Sequence, residues 1–400
     1  MKILFISDVY FPRVNGVSTS IRTFVGEMRA LGHEVHLIAP DYGTYTEDEH
    51  WIKRVPARSI YFDPEDKLMK YGAAIDRLIE LRRENYDIIH IHTPFVAHYL
   101  GLKLGQLLDV PCVETYHTFF EDYLHHYLPV IPTPMAKGLA RMISRRQCNS
   151  VAAIVAPSKP MLDVLRQYGV KTPGEVIPTG LQQHSFERAD GAAFRAKYGI
   201  AHDRPVILFV GRVAHEKNIG FLLRMTTELR KQQPNVLLVV AGEGPAEKSL
   251  HAMTEELGLQ ENIRFIGYLD RNTELNACYR AADVFVFSSK TETQGLVLLE
   301  AMAQGVPVVA LAELGTKSIL IEGQGALIAQ EDEAQFAQRV FTLLADEKKR
   351  KDLGEEARSY AMKRWSSRTQ AERMLQFYQA VLSEDEDIQF IDRRKVARAA

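Results

Sequence analysis

The chain has 400 residues, of which 46% are hydrophobic and 25% charged, and its formal net charge is −2. This length exceeds one comfortable hydrophobic core, so two domains are expected. The near-neutral charge excludes a general attraction to nucleic acid, and the three widely separated cysteines, Cys112, Cys148 and Cys278, predict buried free thiols rather than disulfides or a zinc site.

Strands and helices alternate along the first part of the chain. Strands are predicted at residues 2–7, 34–40, 86–92, 110–117, 151–157 and 174–180, and helices at residues 18–31, 67–85, 97–108, 133–149 and 159–168. This alternation is typical of a parallel, doubly wound α/β sheet. Residues 1–180 are therefore predicted to form the first domain.

A second βα series follows a predicted linker, or hinge, at residues 181–203. Its strands are predicted at residues 205–210, 235–241, 263–268, 284–288 and 306–311, and its helices at residues 218–232, 246–257, 273–281, from about 295, 331–345, 347–364 and 367–382. Residues 204–364 are predicted as the second domain, facing the first across a cleft. Residues 365–400 are expected to hold a helix that returns to the first domain, followed by a charged tail.

The amino terminus reads as a first strand rather than a signal peptide, and no apolar run reaches transmembrane length. We expect a cytoplasmic protein, which does not exclude attachment to a membrane surface.

The segment Glu292-Thr-Gln-Gly-Leu-Val-Leu-Leu-Glu300 follows a buried strand and opens a helix. In a parallel sheet, ligands bind at such strand-to-helix turns. Gly295 allows close backbone approach, and the amides of Gly295, Leu296 and Val297 suit an anion. Glu300 lies roughly 7–8 Å along the helix axis from Gly295. A buried carboxylate at this position needs hydrogen-bond donors, and sugar hydroxyls are suitable ones.

A second candidate segment runs from Gly211 through Arg212 to Lys217, directly after the first strand of the second domain. Two permanent cations at this edge suit a diphosphate, because Arg binds phosphate oxygens bidentately and Lys acts as a point charge. The alternative is an ordinary exposed loop, and position alone does not decide between the two.

Polar residues also follow strands of the first domain. Gly16, within Asn15-Gly-Val-Ser18, could approach a ligand, or the turn could simply cap a helix. His117 ends a strand and could contact a polar ligand, although a lone histidine at a strand end more often has a structural role. His90 and His92 share one face of a neighbouring strand, with His92 pointing toward the same crevice, but no further residue completes a metal site.

The predicted helix at residues 133–149 is amphipathic. Its apolar face carries Met135, Leu139, Met142 and Ile143, and another face carries Lys137, Arg141 and Arg145. Beside the aromatic stretch that begins at residue 119, this pattern suits an anionic membrane surface. The alternative is a helix that packs its apolar stripe onto the sheet.

Several common motifs are missing. The turn Gly242-Glu-Gly-Pro245 lacks the third glycine of a dinucleotide fingerprint, and there is no Gly-rich Lys-Ser/Thr phosphate loop or Gly-x-Ser-x-Gly elbow. A dehydrogenase is therefore disfavoured.

Together, the Glu-x7-Glu motif, Gly211-Arg212 with Lys217, the Gly242 turn and Asn15-Gly-Val resemble the GT4 family of retaining glycosyltransferases, over residues 1–382. The resemblance implies the GT-B architecture, which consists of two Rossmann-like domains. His92-Thr-Pro-Phe, Thr115-Tyr-His-Thr with Glu121-Asp-Tyr, and the segment 290–300 with Gln at 294 are most similar to the branch that glucosylates diacylglycerol.

The resemblance also implies roles for individual residues. Glu300 would bind the ribose, Glu292 and His117 the donor sugar, and Arg212 and Lys217 the departing diphosphate. Gly16 and the amides of residues 295–297 would line the phosphates. The base would lie near residues 265–268, which include Tyr268, and the first domain would bind the acceptor.

The expected reaction is transfer of a hexose, with retention of configuration, from UDP-glucose to a lipid at the inner face of the cell membrane. No cofactor or metal is expected, because no DxD motif lies in a suitable loop. A GDP-mannose-dependent mannosyltransferase, a glycan or phosphatidylinositol acceptor, a sugar-nucleotide epimerase and a non-catalytic nucleotide-sugar sensor stay open as alternatives.

Overall fold

A computed structural model describes residues 1–43, 50–60, 63–72, 75, 84–117, 133–271 and 273–383. The chain divides into two compact units, one formed by residues 1–180 with the chain from Ser367 onward, and the other by Leu181–Ser366. The predicted linker at residues 181–203 lies inside the second unit.

Strands and helices alternate through both units. The strands are β1 (Lys2–Ile6), β2 (Glu34–Pro40), β3 (Ile52–Val55), β4 (Ala57–Ile60), β5 (Asp63–Met69), β6 (Ile88–Ile91), β7 (Cys112–Thr115), β8 (Ala153–Ala156), β9 (Gly174–Val176), β10 (Val206–Val210), β11 (Leu237–Ala241), β12 (Ile263–Gly267), β13 (Val284–Phe287), β14 (Val308–Leu311) and β15 (Ala326–Ala329). The helices are α1 (Gly16–Ala30), α2 (Val96–Leu108), α3 (Thr133–Cys148), α4 (Lys159–Gln167), α5 (Gly191–Lys197), α6 (Ile219–Leu229), α7 (Glu247–Glu256), α8 (Leu275–Ala281), α9 (Leu296–Ala303), α10 (Glu333–Ala345), α11 (Glu347–Arg364) and α12 (Ser367–Ser383).

The first unit is built on a parallel sheet. Within the described residues its strand order is β3-β2-β1-β6-β7-β8-β9. The central strand β1 pairs with β2 and β6, and Ile3, Leu4 and Phe5 are fully buried because helices cover both faces of such a sheet. Helix α12 belongs to this unit, where its buried Met374 and Tyr378 join the core cluster that also holds Phe24 of α1.

The second unit repeats the design with a sheet of order β12-β11-β10-β13-β14-β15, counted over the same described residues. All its pairs are parallel, and β10 lies between β11 and β13. Every residue of β10, β11 and β13 is buried, which explains their continuous apolar sequences.

The structure corrects several predicted elements. Residues 67–69 were expected to begin a helix, but they end β5, which pairs antiparallel with β4; most of the remaining predicted helix, at residues 73–74 and 76–83, lies outside the described residues. Local helix propensity here yields to pairing across the hairpin. The short strands β3 and β15 were not predicted at all.

Candidate active site

The candidate site of the second unit lies where its strand order reverses. From β10 the chain adds β11 and β12 on one side, and then returns to add β13, β14 and β15 on the other. The loops that follow β10 and β13 leave the same carboxyl edge of the sheet, side by side. In open α/β sheets this reversal is where ligands bind.

Two serines join these loops. Ser288 Oγ donates to the carbonyl of Asn218 at 2.9 Å, and Ser289 Oγ donates to the carbonyl of Glu216 at 3.3 Å. The connection brings the Lys217 ammonium onto the Glu292 carboxylate as an ion pair. Both side chains are mostly buried, so the pair is screened less than an exposed one.

The loop that carries Arg212 rests on the turn at Gly242. The Gly211 amide donates to the Ala241 carbonyl at 3.0 Å, and the Val213 amide donates to the Glu243 carbonyl at 2.9 Å. A Cβ at Gly242 would stand 2.0 Å from the Gly211 carbonyl oxygen, so only glycine allows this approach. Arg212 is half-buried in this loop.

Helix α9 begins at Gly295, whose φ of +95° is in the left-handed region that favours glycine. Leu296 and Val297 form its first turn and are half-buried. The amides of this turn are the ones that the sequence analysis assigned to phosphate. No side chain among the described residues caps this helix end.

Glu300 has partners that the sequence analysis missed. Only 5% of the residue is exposed. Tyr279 donates its hydroxyl to Glu300 Oε2 at 2.7 Å, and Arg271 forms an ion pair with Glu300 Oε1. The carboxylate raises the pKa of the Arg271 guanidinium, and burial raises the pKa of Tyr279, which therefore stays a donor. Tyr279 and Arg271 therefore supply the hydrogen-bond donors that a buried carboxylate requires, a role that the sequence analysis gave to sugar hydroxyls. A carboxylate has further acceptor positions, so Glu300 can also accept a hydrogen bond from a ligand.

Tyr268, which was assigned to the region of the base, follows β12 at the same sheet edge. It is 52% exposed, and its amide donates to Glu243 Oε1 at 3.3 Å. Its exposed ring offers an apolar surface on the second unit.

In the first unit, Gly16 begins α1. Asn15 and Ser18 form a capping box, in which the Ser18 amide donates to Asn15 Oδ1 at 2.9 Å and the Asn15 amide donates to Ser18 Oγ at 2.9 Å. The capping interpretation is therefore confirmed. A Cβ at Gly16 would meet no atom within 4 Å, so helix packing does not require glycine there.

Three histidines stack beyond β6 and β7. The rings of His90 and His92 lie 4.2 Å apart, and those of His92 and His117 lie 5.3 Å apart. His90 bonds Tyr378 of α12 and, at 2.6 Å, Thr115 Oγ1. Burial lowers the pKa of His117 to about 3 and lowers those of His90 and His92 well below the usual value, so all three rings are neutral near pH 7.

Asp8 lies where the strand order of the first unit reverses, between β1 and β6, and the sequence analysis did not identify it. Its Oδ2 accepts from Thr93 Oγ1 and from the Ala97 amide, both at 2.9 Å. Its Oδ1 is buried and has no hydrogen-bond partner in the described part of the chain. Burial raises the pKa of Asp8 to about 7, and the two hydrogen bonds oppose this shift.

Helix α3 turns its small residues, not its large apolar ones, toward the first unit. Ala136, Ala140 and Ser144 are buried, whereas Met135 and Met142 are 66% and 54% exposed. Ile143, Arg141 and Arg145 are also exposed, and Leu139 and Lys137 are half-buried. The alternative in which the apolar stripe packs onto the sheet is therefore wrong.

The remaining sequence features do not contribute to the candidate site. Thr118, Glu121-Asp-Tyr, the aromatic stretch up to residue 132 and the tail from residue 384 lie outside the described residues. Glu34, His36 and Glu84 cluster in a way that could hold a metal ion, but the Lys2 ammonium pairs with both carboxylates. The three cysteines are free and buried, as predicted.

Comparison with known families matches both units. The model described as Glycosyltransferase Family 4 matches residues 14–183, and the one described as Glycosyl transferases group 1 matches residues 190–360. The chain is 35% identical over 318 residues to alpha-monoglucosyldiacylglycerol synthase of Streptococcus pneumoniae, a match that covers 78% of this chain and 71% of that protein. The chain belongs to the GT4 family of glycosyltransferases. It is therefore a retaining hexosyltransferase.

Further similarities agree with this assignment. The alpha-monoglucosyldiacylglycerol synthase of Acholeplasma laidlawii is 29% identical to this glycosyltransferase over 347 residues, covering 83% of this chain and 86% of that protein. Anabaena HepE, solved in complex with UDP-glucose, superposes with a TM-score of 0.74 at 18% identity, covering 95% of this chain and all of that one. The predicted GT-B fold is thereby confirmed, since solved glycosyltransferases share it.

Three polar residues were not predicted from the sequence: Arg271 and Tyr279, which contact Glu300, and Asp8, which lies at the strand reversal of the first unit. Arg271 and Tyr279 precede Glu300 by 29 and 21 positions. The only available signal was the expectation that a buried carboxylate needs donors, which does not say where those donors lie in the sequence.

Proposed function

We propose that this glycosyltransferase transfers glucose from UDP-glucose to diacylglycerol at a membrane surface, with retention of the α configuration. The observation that carries the proposal is the 35% identity to an alpha-monoglucosyldiacylglycerol synthase over most of both chains. A second synthase with the same name, from a different organism, supports the same acceptor and sugar.

The donor half of the proposal uses the second unit. Arg212, Lys217 and the amides at the start of α9 would bind the diphosphate, Glu300 the ribose and Glu292 the hexose. HepE, which was solved with UDP-glucose, has the same fold and supports UDP as the nucleotide. The ion pair between Lys217 and Glu292 already orients both side chains, so these two side chains are positioned before a donor binds.

The chemical step depends on charge. Negative charge develops on the diphosphate as the bond from the sugar breaks, and fixed cations lower the barrier by stabilising that charge. Arg212 and Lys217 would supply this stabilisation, together with the helix end. The acceptor hydroxyl would attack from the face that the diphosphate leaves, so no protein nucleophile is required. We propose that the step needs no metal.

The acceptor half of the proposal uses the surface of α3. A diacylglycerol acceptor lies in a membrane, and no helix in the described part of the chain has the length and apolarity of a membrane span. The exposed Met135, Met142 and Ile143 would enter the interfacial region, and Arg141 and Arg145 would bind anionic head groups. Helix α3 contains no acidic residue to oppose this attraction. The enzyme would thus attach peripherally.

The test incubates the protein with radiolabelled UDP-glucose and anionic vesicles that contain diacylglycerol. The expected product is labelled lipid in the α configuration. GDP-mannose and vesicles that carry phosphatidylinositol in place of diacylglycerol are the matched comparisons. Label in lipid only from GDP-mannose, or only with the second acceptor, would replace the proposal. Release of a free isomerised sugar would indicate an epimerase, and binding of UDP without transfer in any arm would indicate a sensor.

A further inference from the structure

Exposed hydrophobic side chains are concentrated on two helices of the first unit. Among the large hydrophobic side chains that are exposed in the described residues, most lie on α2, at its N-cap or on α3: Phe95, Tyr99, Leu107, Met135, Met142 and Ile143. The aromatic pair is the part that the membrane contact of α3 does not explain, because Tyr99 is 57% exposed and Phe95 is 50% exposed on the other helix. Single exposed hydrophobic residues are common, whereas a cluster marks a surface that binds a partner or a membrane.

A hydrogen bond joins the start of α2 to the end of α3. Gln147 Nε2 donates to the Pro94 carbonyl at 2.7 Å. On α3, Ile143 lies one helical turn before Gln147 on the same side of the helix. On α2, Phe95 follows Pro94 directly, and Tyr99 lies one turn further along the same face. The exposed aromatic residues of α2 therefore lie beside the exposed apolar residues of α3. We call Phe95, Tyr99, Met142 and Ile143 the α2–α3 patch.

The charges beside the α2–α3 patch are positive. Lys103 lies one turn beyond Tyr99 on α2, Arg146 lies one turn beyond Met142 on α3, and both are exposed. Neither helix contains an aspartate or a glutamate. An apolar centre with a cationic border is complementary to an anionic lipid surface, since the cations contact the head groups while the apolar side chains enter the interfacial layer.

We propose that Tyr99 and Phe95 anchor the α2–α3 patch in the interface of an anionic bilayer, so that α2 contacts the membrane together with α3. Tyrosine suits this layer because its ring is apolar while its hydroxyl stays hydrated. The inference rests on the proposed function, in which α3 attaches to a membrane, and it adds a second contact helix. Contact through two helices fixes the rotation of the first unit on the bilayer, which contact through α3 alone would leave free.

Fluorescence of a Tyr99→Trp variant tests this contact in the full-length protein without any substrate. The native Trp51 and Trp365 are only 4% and 7% exposed, so their emission should not respond to lipid. With vesicles of phosphatidylcholine and phosphatidylglycerol, we expect a blue shift at position 99 and quenching by brominated acyl chains. Leu107→Trp is the matched control, because Leu107 is also exposed on α2 but lies roughly 12 Å further along the helix axis. It should stay unquenched.

A second measurement uses substitutions that remove the rings. Tyr99→Ala and Phe95→Ala should each lower the vesicle partition coefficient roughly tenfold, because apolar area that enters the interface is lost, and Leu107→Ala should leave it unchanged. Wild-type partition of both aromatic variants would overturn the proposal. So would a wild-type dimer in lipid-free buffer that either variant abolishes in sedimentation velocity, since the patch would then bind a second copy of the chain.

The outcomes separate this inference from the proposed function. Vesicle-bound protein with an unquenched tryptophan at position 99 would overturn the role of α2 and leave α3 as the docking surface. Because UDP-glucose and diacylglycerol are absent from both measurements, quenching at position 99 would support the inference even if the protein failed to glucosylate diacylglycerol.

Discussion

The hydrogen bond from Tyr279 to Glu300 offers a sharp test of how the proposed donor site is organised. Tyr279→Phe removes one hydroxyl and leaves the ring, which is fully buried beside Phe285. Glu300 keeps Arg271 as its counter-ion, so the variant changes the position of the carboxylate without leaving it unpaired.

The magnitude follows from the geometry. The bond is 2.7 Å long, buried and made to an ionised carboxylate. Hydrogen bonds to charged groups contribute about 1.5–3 kcal/mol. For a domain the size of the second unit, each kcal/mol corresponds to about 2–4 °C in Tm, which predicts a fall of roughly 3–12 °C. If Glu300 binds the ribose, a carboxylate held less firmly should also weaken UDP binding by about tenfold.

The assays are thermal unfolding and calorimetric titration with UDP. Tyr360→Phe is the matched control, because the Tyr360 hydroxyl is also buried and donates to the Ile319 carbonyl at 2.9 Å. This bond is neutral, so its loss should lower stability by only about 0.5–1.5 kcal/mol and leave UDP affinity unchanged.

Two results would refute the reasoning. Unchanged stability of Tyr279→Phe would mean that the bond contributes nothing to the fold. A fall in stability without any change in UDP affinity, together with wild-type UDP affinity in Glu300→Gln, would remove Glu300 from the ribose site.

Three further predictions concern separate parts of the molecule. Lys217→Ala should lower kcat/KM by roughly ten- to hundredfold, because a charge-assisted contact to the diphosphate is lost. The control Lys231→Ala removes an exposed ion pair and should leave kcat/KM unchanged. If steady-state assays gave the same kcat/KM for both variants, the diphosphate role of Lys217 would be contradicted. Arg145→Glu should weaken sedimentation with anionic vesicles by about 30-fold, because two units of charge near the surface correspond to about 2 kcal/mol, and binding equal to wild type would exclude α3 as the docking surface. Asp8→Asn should gain stability relative to wild type between pH 5 and pH 8. The pKa of Asp8 is about 7 in the folded protein and lower in the unfolded chain, so the wild type loses roughly 2–3 kcal/mol of stability as the pH rises over this range. Urea unfolding measures the difference in unfolding free energy between the variant and the wild type. The same difference at pH 5 and at pH 8 would refute this prediction.

The fold was largely predictable because the alternation of apolar strands and amphipathic helices is clear and recurs along the chain. Buried strands such as β10 and β13 are continuous apolar runs, and amphipathic helices separate them. The hairpin of β4 and β5 was missed because its stability depends on pairing between segments, which local sequence does not show. The short strand β15 has too few residues to carry a periodic pattern.

The geometry of the candidate site was predictable in part. Lys217 and Glu292 are 75 residues apart, yet each follows a strand, and the adjacency of β10 and β13 brings them into contact. Arg271 and Tyr279 could not be foreseen, because nothing in their local sequence points toward Glu300. The contact of Tyr279 with Glu300 depends on how α8 packs beside α9, and Arg271 lies in the segment before α8.

The orientation of α3 illustrates a different limit. Its periodicity located an apolar face and a basic face, but not which of them meets the sheet. The structure places Ala136, Ala140 and Ser144 inward, where small side chains allow the helix to approach closely. Sequence amphipathicity alone would have assigned the larger Met142 to the core.

The most direct measurement of the central claim is a crystal structure of the protein with UDP bound. We expect the ribose hydroxyls within hydrogen-bond distance of Glu300, and the diphosphate in contact with Arg212, Lys217 and the first amides of α9. UDP bound at another place, with these three side chains far from any phosphate or ribose oxygen, would contradict it.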